Sequence, residues 1–361
     1  MAFGQNAFQA SITINKYIRE VTKAIMRKRV LLAMLQSRGR ISLNQSGKLI
    51  DWKVKHKRTA LVPFDDGDAI VFSRQNKYKT AQLPMRAYVV SQSMSKADKL
   101  MNSGKEAIIK KYSEMVKELL EDIRDGFCEQ LVQVDGNASG STNRIHGLES
   151  MFSASNNASA LVGTNNDTYA GLSTARGTYG GSWTGTWPAG YGDSQYDFWS
   201  PLVVNYNSTL AAASGGWSAT TKSWSNTCIE ALRFAIINTQ RNSDDLDLFL
   251  LEKNLYRLAL DRIDDNERLV VNRNQDPGMT KLGFKGINVD GVDIYWEQGL
   301  TSGVGYGLCI DELELMSWQN QLFVSLSDFN LEKVSDQVAV DFYGNLRCKS
   351  PRTQCKLAAL A

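Results

Sequence analysis

The chain has 361 residues, 43% of them hydrophobic and 22% charged, and its 41 Lys+Arg against 38 Asp+Glu leave a formal net charge of +3. That composition can bury a real core and excludes general disorder, while the charge is too near neutral to argue by itself for a nucleic-acid binder. No apolar run reaches the length of a membrane span, the N-terminus lacks a basic-then-apolar signal peptide, and five scattered cysteines (Cys128, Cys228, Cys309, Cys348, Cys355) argue for reduced, mostly buried thiols made in a cytoplasm.

From about Ser11 to Gln36, apolar Ile14, Tyr17, Ile18, Val21, Ile25, Val30 and Leu31 alternate with Lys16, Arg19, Lys23, Arg27, Lys28 and Arg29. This predicts an amphipathic N-terminal helix or arm whose basic face is solvated or meets a partner subunit. Between Lys48 and Val90 the period shortens to two. Ile50, Trp52, Val54 and His56 alternate with Asp51, Lys53, Lys55 and Lys57, as on a strand with one apolar face. PFDDGD (Pro63 to Asp68) supplies a reversal, and a second extended stretch returns through Lys77 to Thr80 towards Ala87 to Val90. Pro84 excludes that stretch from the centre of a sheet. Two arms of some fifteen residues make a hairpin on the order of 50 Å long. A lone ribbon is marginal in water, so its Trp52 face needs cover, and another subunit is the expected source.

SQSMSKADKLMNSG then reads as a short polar or helical linker. A long helix follows, Lys105 to about Leu131, with Ile108, Tyr112, Met115, Val116, Leu119, Ile123 and Phe127 along one stripe and a capping box at Ser103 and Glu106. At 1.5 Å per residue it is roughly 40 Å of rod, which must lie across something wide. Asn137 to Leu148 is a loop by composition, and Ser150 to Asn226, rich in Gly, Ser, Thr, Asn, Trp and Tyr, predicts loops and short strands. CIEALRFAIINTQ predicts a helix burying Ile229, Leu232, Phe234, Ile236 and Ile237. A strand at Leu246 to Lys253, a short helix at NLYRLALDRI and Gly-broken strands to Tyr343 come next, and Pro351 sits in a turn.

Candidate chemistry is sparse. His56 and His146 leave little imidazole for acid–base or triad work. Asp65, Asp66 and Asp68 lack the spacing and distal Glu of an EF-hand, and read better as an acidic hairpin tip that docks on a basic neighbour. Cys348 and Cys355 have no second pair at zinc spacing. Gly303, Gly305 and Gly307 precede the strand-like GLCIDEL where a nucleotide loop would open a helix, and Asp264, Asp265 and Glu267 read as a solvated helix end. With no phosphate loop, metal constellation or nucleophile motif, the expectation is a structural protein, not an enzyme, with no cofactor and no metal.

In this order the pieces resemble the major capsid protein of tailed bacteriophages. GLESMF (Gly147 to Phe152), TYAGLS (Thr168 to Ser173), FWSPLV (Phe198 to Val203), IEALRFAI (Ile229 to Ile236), GFKGINV (Gly283 to Val289) and YGNLRCKSPR (Tyr343 to Arg352) fit one branch of that family. The resemblance implies an α+β, Hong-Kong-ninety-seven-like major capsid fold with an N-terminal arm (1–43) and an extended β-hairpin loop (44–90). It further implies a peripheral domain with the long spine helix (91–134 and 305–344) and an axial domain (135–304 and 345–361).

The implied function is self-assembly, as pentamers and hexamers, into an icosahedral head around double-stranded DNA that is touched without sequence preference. A scaffolding protein, a portal and a decoration protein are the implied partners, with no membrane. Some members carry an internal scaffolding segment before the extended loop, whereas about 43 residues are present here, so a separate scaffolding protein is expected. The residues expected at the contact between subunits are Trp52, Lys53, Lys55, Lys57, Arg58, Asp65, Asp66, Asp68, Lys77 and Lys79. Two other readings stand beside this one. One is an encapsulin-like nanocompartment shell of the same fold. The other is a glycan-binding β-rich protein, motivated by Trp183, Trp187, Trp199, Trp217 and Trp224.

Overall fold

A computed structural model describes residues 29–56, 62–67, 69, 72, 74, 76–97, 105–152, 154–155, 158–175, 199–240, 245–264, 286–319, 322–330 and 333–360. The arm before Arg29, and with it Lys57, Arg58, Asp68, Ser103, Trp183, Trp187, Asp265 and Glu267, fall outside them.

Helix α1 (Val30–Ser37) buries every residue from Val30 to Leu35. Arg29, expected on a solvated basic face, is instead buried, because its guanidinium pairs with Asp125 at 3.0 Å and Glu297 at 3.5 Å. After β1 (Ile41–Gln45), β2 (Leu49–Lys55) and β3 (Tyr78–Pro84) pair antiparallel, with Trp52 opposite Ala81 and Ile50 opposite Leu83. Pro84 closes β3, and β4 (Arg86–Ser95) is a separate strand of another sheet. Ser91 to Ser95, expected in a linker, is therefore strand. Tyr88, Val90, Gln92 and Met94 alternate with exposed Val89, Ser91 and Ser93, a two-residue period that the small polar side chains disguise.

Helix α2 (Lys105–Gln133), the expected spine, spans 29 residues, about 43 Å of rod. Its stripe of Met115, Val116, Leu119, Ile123 and Phe127 is buried as the spacing predicts. The Gly-rich middle carries the two-residue pairs β5 (Ala154–Ser155) with β6 (Thr164–Asn165) and β7 (Thr168–Tyr169) with β8 (Leu172–Ser173), and then β9 (Leu202–Asn205). Helix α3 (Trp224–Thr239) departs from expectation. Leu232 is buried, but Ile237 is 69% exposed and Ile229, Phe234 and Ile236 are half-buried. Besides Trp224 and Leu232, the face it buries carries the small residues Thr227, Cys228, Ala231 and Ala235. The remaining elements are β10 (Leu248–Leu251), α4 (Lys253–Asp264), β11 (Ile287–Val289), β12 (Val292–Trp296), β13 (Gly305–Leu308), β14 (Leu313–Trp318), β15 (Val324–Asn330), β16 (Ser335–Cys348) and β17 (Cys355–Ala358).

Two sheets organise these strands. One has the order β1-β14-β16-β15 with β4 also on β16; the other runs β11-β12-β10-β13-β17-β9. The spine helix covers one face of the first, where Phe127 meets Phe342 at 4.6 Å and Phe323 at 5.2 Å between ring centroids. The second is buried on both faces. Phe249 and Leu251 join the core under α3 and α4, whereas Leu248 and Leu250 join the core that includes the spine. That double burial is why LFLL reads as an unbroken apolar run. Gly305–Leu308, expected in the spine-helix sheet, lies in this second sheet, and β16 runs past the expected boundary at 344. All five cysteines are buried, and burial pushes the thiol pKa of Cys228 up to about 11 and those of Cys309 and Cys355 up to about 12, thiols with little nucleophilic character.

Candidate assembly surface: a ribbon held at its base and bare at its tip

The base of the β2–β3 ribbon is clamped by the chain itself. Trp52 donates its indole N–H to the Lys349 carbonyl at 3.3 Å, lies 6.4 Å from the Trp199 ring, and has the Arg347 guanidinium 5.7 Å from its own centroid. Ile50, Ala81 and Leu83 on the same face are buried. This corrects the expectation that the Trp52 face lacks cover within its own molecule. The cover comes from Trp199, from the chain after β16, and from the β7–β8 turn, where the Gln82 N–H bonds to the Ala170 carbonyl at 2.9 Å.

That turn has Ala170 at φ 51 and Gly171 at φ 74, the two positive values of a type I′ hairpin, so TYAGLS serves here as a bracket for the ribbon. Asn345, fully buried, adds a second bracket. Its side-chain amide donates to the Pro84 carbonyl at 2.8 Å, while its oxygen accepts from His146 N–H and Leu346 N–H, each at 2.9 Å. Sequence reading missed Asn345; an Asn beside a strand glycine looks like a turn.

Beyond this base the described residues of the ribbon are largely exposed. Lys53, Lys55 and Lys79 are exposed and Lys77 half-buried. On the solvent face Lys53 stands opposite Thr80 and Lys55 opposite Tyr78, which is 56% exposed. Lys79 pairs with Val54 on the Trp52 face. In the connecting loop Asp65 and Asp66 are exposed, the Asp65 carboxylate accepting the Asp66 N–H at 2.8 Å in a local turn. Around them Val62, Phe64 and Phe72 are 77%, 70% and 91% exposed. These three apolar side chains were not singled out from the sequence. The signal was an apolar pair flanking DDGD, which does not by itself separate a tucked loop from a naked one. Among the described residues no cluster of three His, Cys, Asp or Glu side chains is placed to hold a metal, and no helix is long and apolar enough to cross a membrane.

The tryptophans that motivated the glycan-binding reading are not platforms where they are described. Trp199, Trp217 and Trp224 are buried, and the last two donate their indole N–H groups to the carbonyls of Asn205 and Leu255.

No protein-family model matches the chain, and no curated protein does. Solved structures do. The capsid asymmetric unit of cyanophage A-1(L) superposes with a TM-score of 0.55 at 16% identity, covering 91% of this chain and 92% of that one. The capsid of a native GTA particle gives 0.56 at 10% identity over 91% and 90%. An empty GTA capsid gives 0.53 at 10% identity over the same shares. The chain has the Hong-Kong-ninety-seven-like capsid fold. In this capsid fold the clamped ribbon, the spine helix and the two sheets all come from one continuous chain, and the bare distal ribbon is its most exposed apolar feature among the described residues.

Proposed function

We propose that this protein is the major capsid protein of a tailed bacteriophage, a tile that assembles into an icosahedral head around double-stranded DNA. The observation that carries the reading is the bare distal ribbon. A loop with Phe64 and Phe72 at 70% and 91% exposure is poorly suited to a free monomer and well suited to one whose ribbon lies on a neighbour. The likeness of fold to phage capsids supports it. Lys53, Lys55, Lys77 and Lys79 make the shaft basic, and Asp65 and Asp66 make the tip acidic, so one ribbon presents both signs to a receiving subunit. Lys57, Arg58 and Asp68 extend the same pattern in sequence.

The resemblance assigns 1–43 to the arm and 44–90 to the extended loop, but α1 is buried in the core and β1 pairs with β14, so neither belongs to a free arm. Because β13 shares the sheet of β10 and β12, the peripheral segment is better drawn from β14 than from Gly305, with the axial segment holding the six-stranded sheet. Tiles close as pentamers and hexamers, where many weak contacts add through symmetry. A scaffolding protein directs closure, a portal occupies one vertex, and a decoration protein is a further partner. DNA is touched through phosphate charge alone. Assembly takes place in the bacterial host cytoplasm and the product resides in the virion.

Sedimentation and nucleic-acid analysis of particles from producing cells tests this reading. Large closed particles holding double-stranded DNA are expected. Closed particles that hold a protein cargo and no nucleic acid would instead favour the nanocompartment reading, which shares the fold.

A further inference from the structure

The outward face of the spine helix carries a stripe of carboxylates. Glu114, Glu118, Glu121, Asp125 and Glu129 recur at steps of three or four residues, and all five are exposed. That spacing stacks them along one side of the helix over about 22 Å. Like charges so placed repel one another, so the stripe weakens the helix that bears it. Among the described residues only Asp125 of the five has an ion pair, and its partner is Arg29 at 3.0 Å. Arg29 is 6% exposed and is fixed there by Glu297 at 3.5 Å and the Gln298 carbonyl at 3.1 Å. It is also where the described chain begins. The arm therefore joins the fold at a point on the stripe, one helical turn from Glu121.

We infer that the arm before Arg29 docks along this stripe of its own chain, its cations pairing with Glu121, Glu118 and Glu114 in turn. Charge complementarity carries the pairing. From Lys16 to Arg29 the sequence has Lys16, Arg19, Lys23, Arg27, Lys28 and Arg29 against Glu20 alone. The direction follows from what already occupies the other end. Gly299 lies so close to Glu129 that a Cβ added to it would stand 3.0 Å from the Glu129 side chain, so the open run of carboxylates lies towards Glu114. The tether decides whose arm is seated. Arg27 lies within about 7 Å of Arg29 along the chain, and attachment at the anchor raises the local concentration of this arm over that of a neighbour's. A duplex nucleic acid is a poor occupant, because the stripe repels phosphate. The inference concerns a single chain and stands apart from the shell reading.

Carbodiimide coupling of the full chain tests the contact. The reagent joins a lysine amine to a carboxylate as an amide, taking up the elements of water as it becomes the urea, so it links only groups that already meet. Light and heavy isotopic chains are mixed before any assembly and coupled together. Lys23 and Lys16 should couple to Glu121, Glu118 or Glu114 in pairs of a single isotope. The links should vanish at about 1 M salt, where the screening length falls to about 3 Å. Pairs of mixed isotope in statistical proportion would give the stripe to a neighbour's arm and overturn the inference. So would the absence of any link from Lys16 and Lys23. The triple variant Glu114→Gln/Glu118→Gln/Glu121→Gln supplies an independent check, since it relieves repulsion within the helix and so spares the fold. Tryptic cleavage after Lys16, Arg19 and Lys23 should quicken roughly tenfold in it, as three exposed ion pairs acting together imply. An unchanged cleavage rate would overturn the docked arm and leave the shell reading untouched.

Discussion

His146 is 5% exposed, its backbone N–H bound to Asn345 and its ring 6.4 Å from Tyr169. Burial first, and the nearby Arg86 guanidinium second, hold its pKa down to about 4 from 6.5. The unfolded chain therefore binds a proton that the folded chain refuses. The stabilisation is complete above the unfolded value of 6.5 and is lost as pH falls towards 4, about 3 kcal/mol in all. Chemical denaturation from pH 7.5 to 4 should show stability falling with acid in the wild type and a shallower slope in His146→Gln. Equal slopes would remove His146 from the account. Sequence could count two histidines and discount catalysis, but the burial of this one depends on β16 and the ribbon base closing over it. The β16 contact, through Asn345, lies 199 residues away along the chain.

Among the elements, α1 and the spine helix yield the sharpest consequences. The first turn of α1 has no local side-chain cap. The cap arrives from the far end of β12, where Glu297 accepts the Leu31 N–H at 3.3 Å and pairs with Arg29. Burial raises the Glu297 pKa even against these partners. Glu297→Ala leaves the Arg29 charge with Asp125 alone and an orphaned N–H. A loss of about 3 kcal/mol is expected in equilibrium unfolding, and a change within error would show that the network carries no stability. Gly126→Ala makes the opposite prediction: a gain of about 0.5–1 kcal/mol in the same measurement, because alanine meets open space there.

The spine helix was legible because its stripe keeps one period over many turns. β17 was not, since CKLA is too short to show a period and owes its place to burial between β13 and β9. Helix α3 was legible in extent but not in orientation. The helix buries Cys228, Ala231 and Ala235 while Ile237 stays exposed, so tertiary packing overrode side-chain size.

At the scale of the whole molecule, the order of ribbon, spine and sheets carried the fold from sequence to structure. The expectation that the Trp52 face lacks cover within its own molecule did not survive. The alternation of β2 identifies an apolar face but not its occupant, and the occupant at the base is the molecule's own Trp199 and the segment after β16. The exposed part of the ribbon begins further out, at Lys53, Lys55, Lys79 and the loop bearing Phe64 and Phe72. Deleting Ala60 to Phe72 should therefore leave a folded, soluble chain, with unfolding stability changed by no more than about 1 kcal/mol, because surface segments away from the core contribute little. Light scattering should find it monomeric where the intact chain assembles. Normal particles from the deletion would strip the tip of any role.

The most direct measurement is an electron cryomicroscopy reconstruction of the purified protein, expressed with and without a co-expressed scaffolding protein. It should show closed icosahedral particles in which each ribbon departs from its Asn345 and Ala170 brackets and comes to rest on an adjacent subunit. A monodisperse monomer at high concentration with the scaffold supplied, or particles in which every ribbon stays on its own subunit, would contradict it.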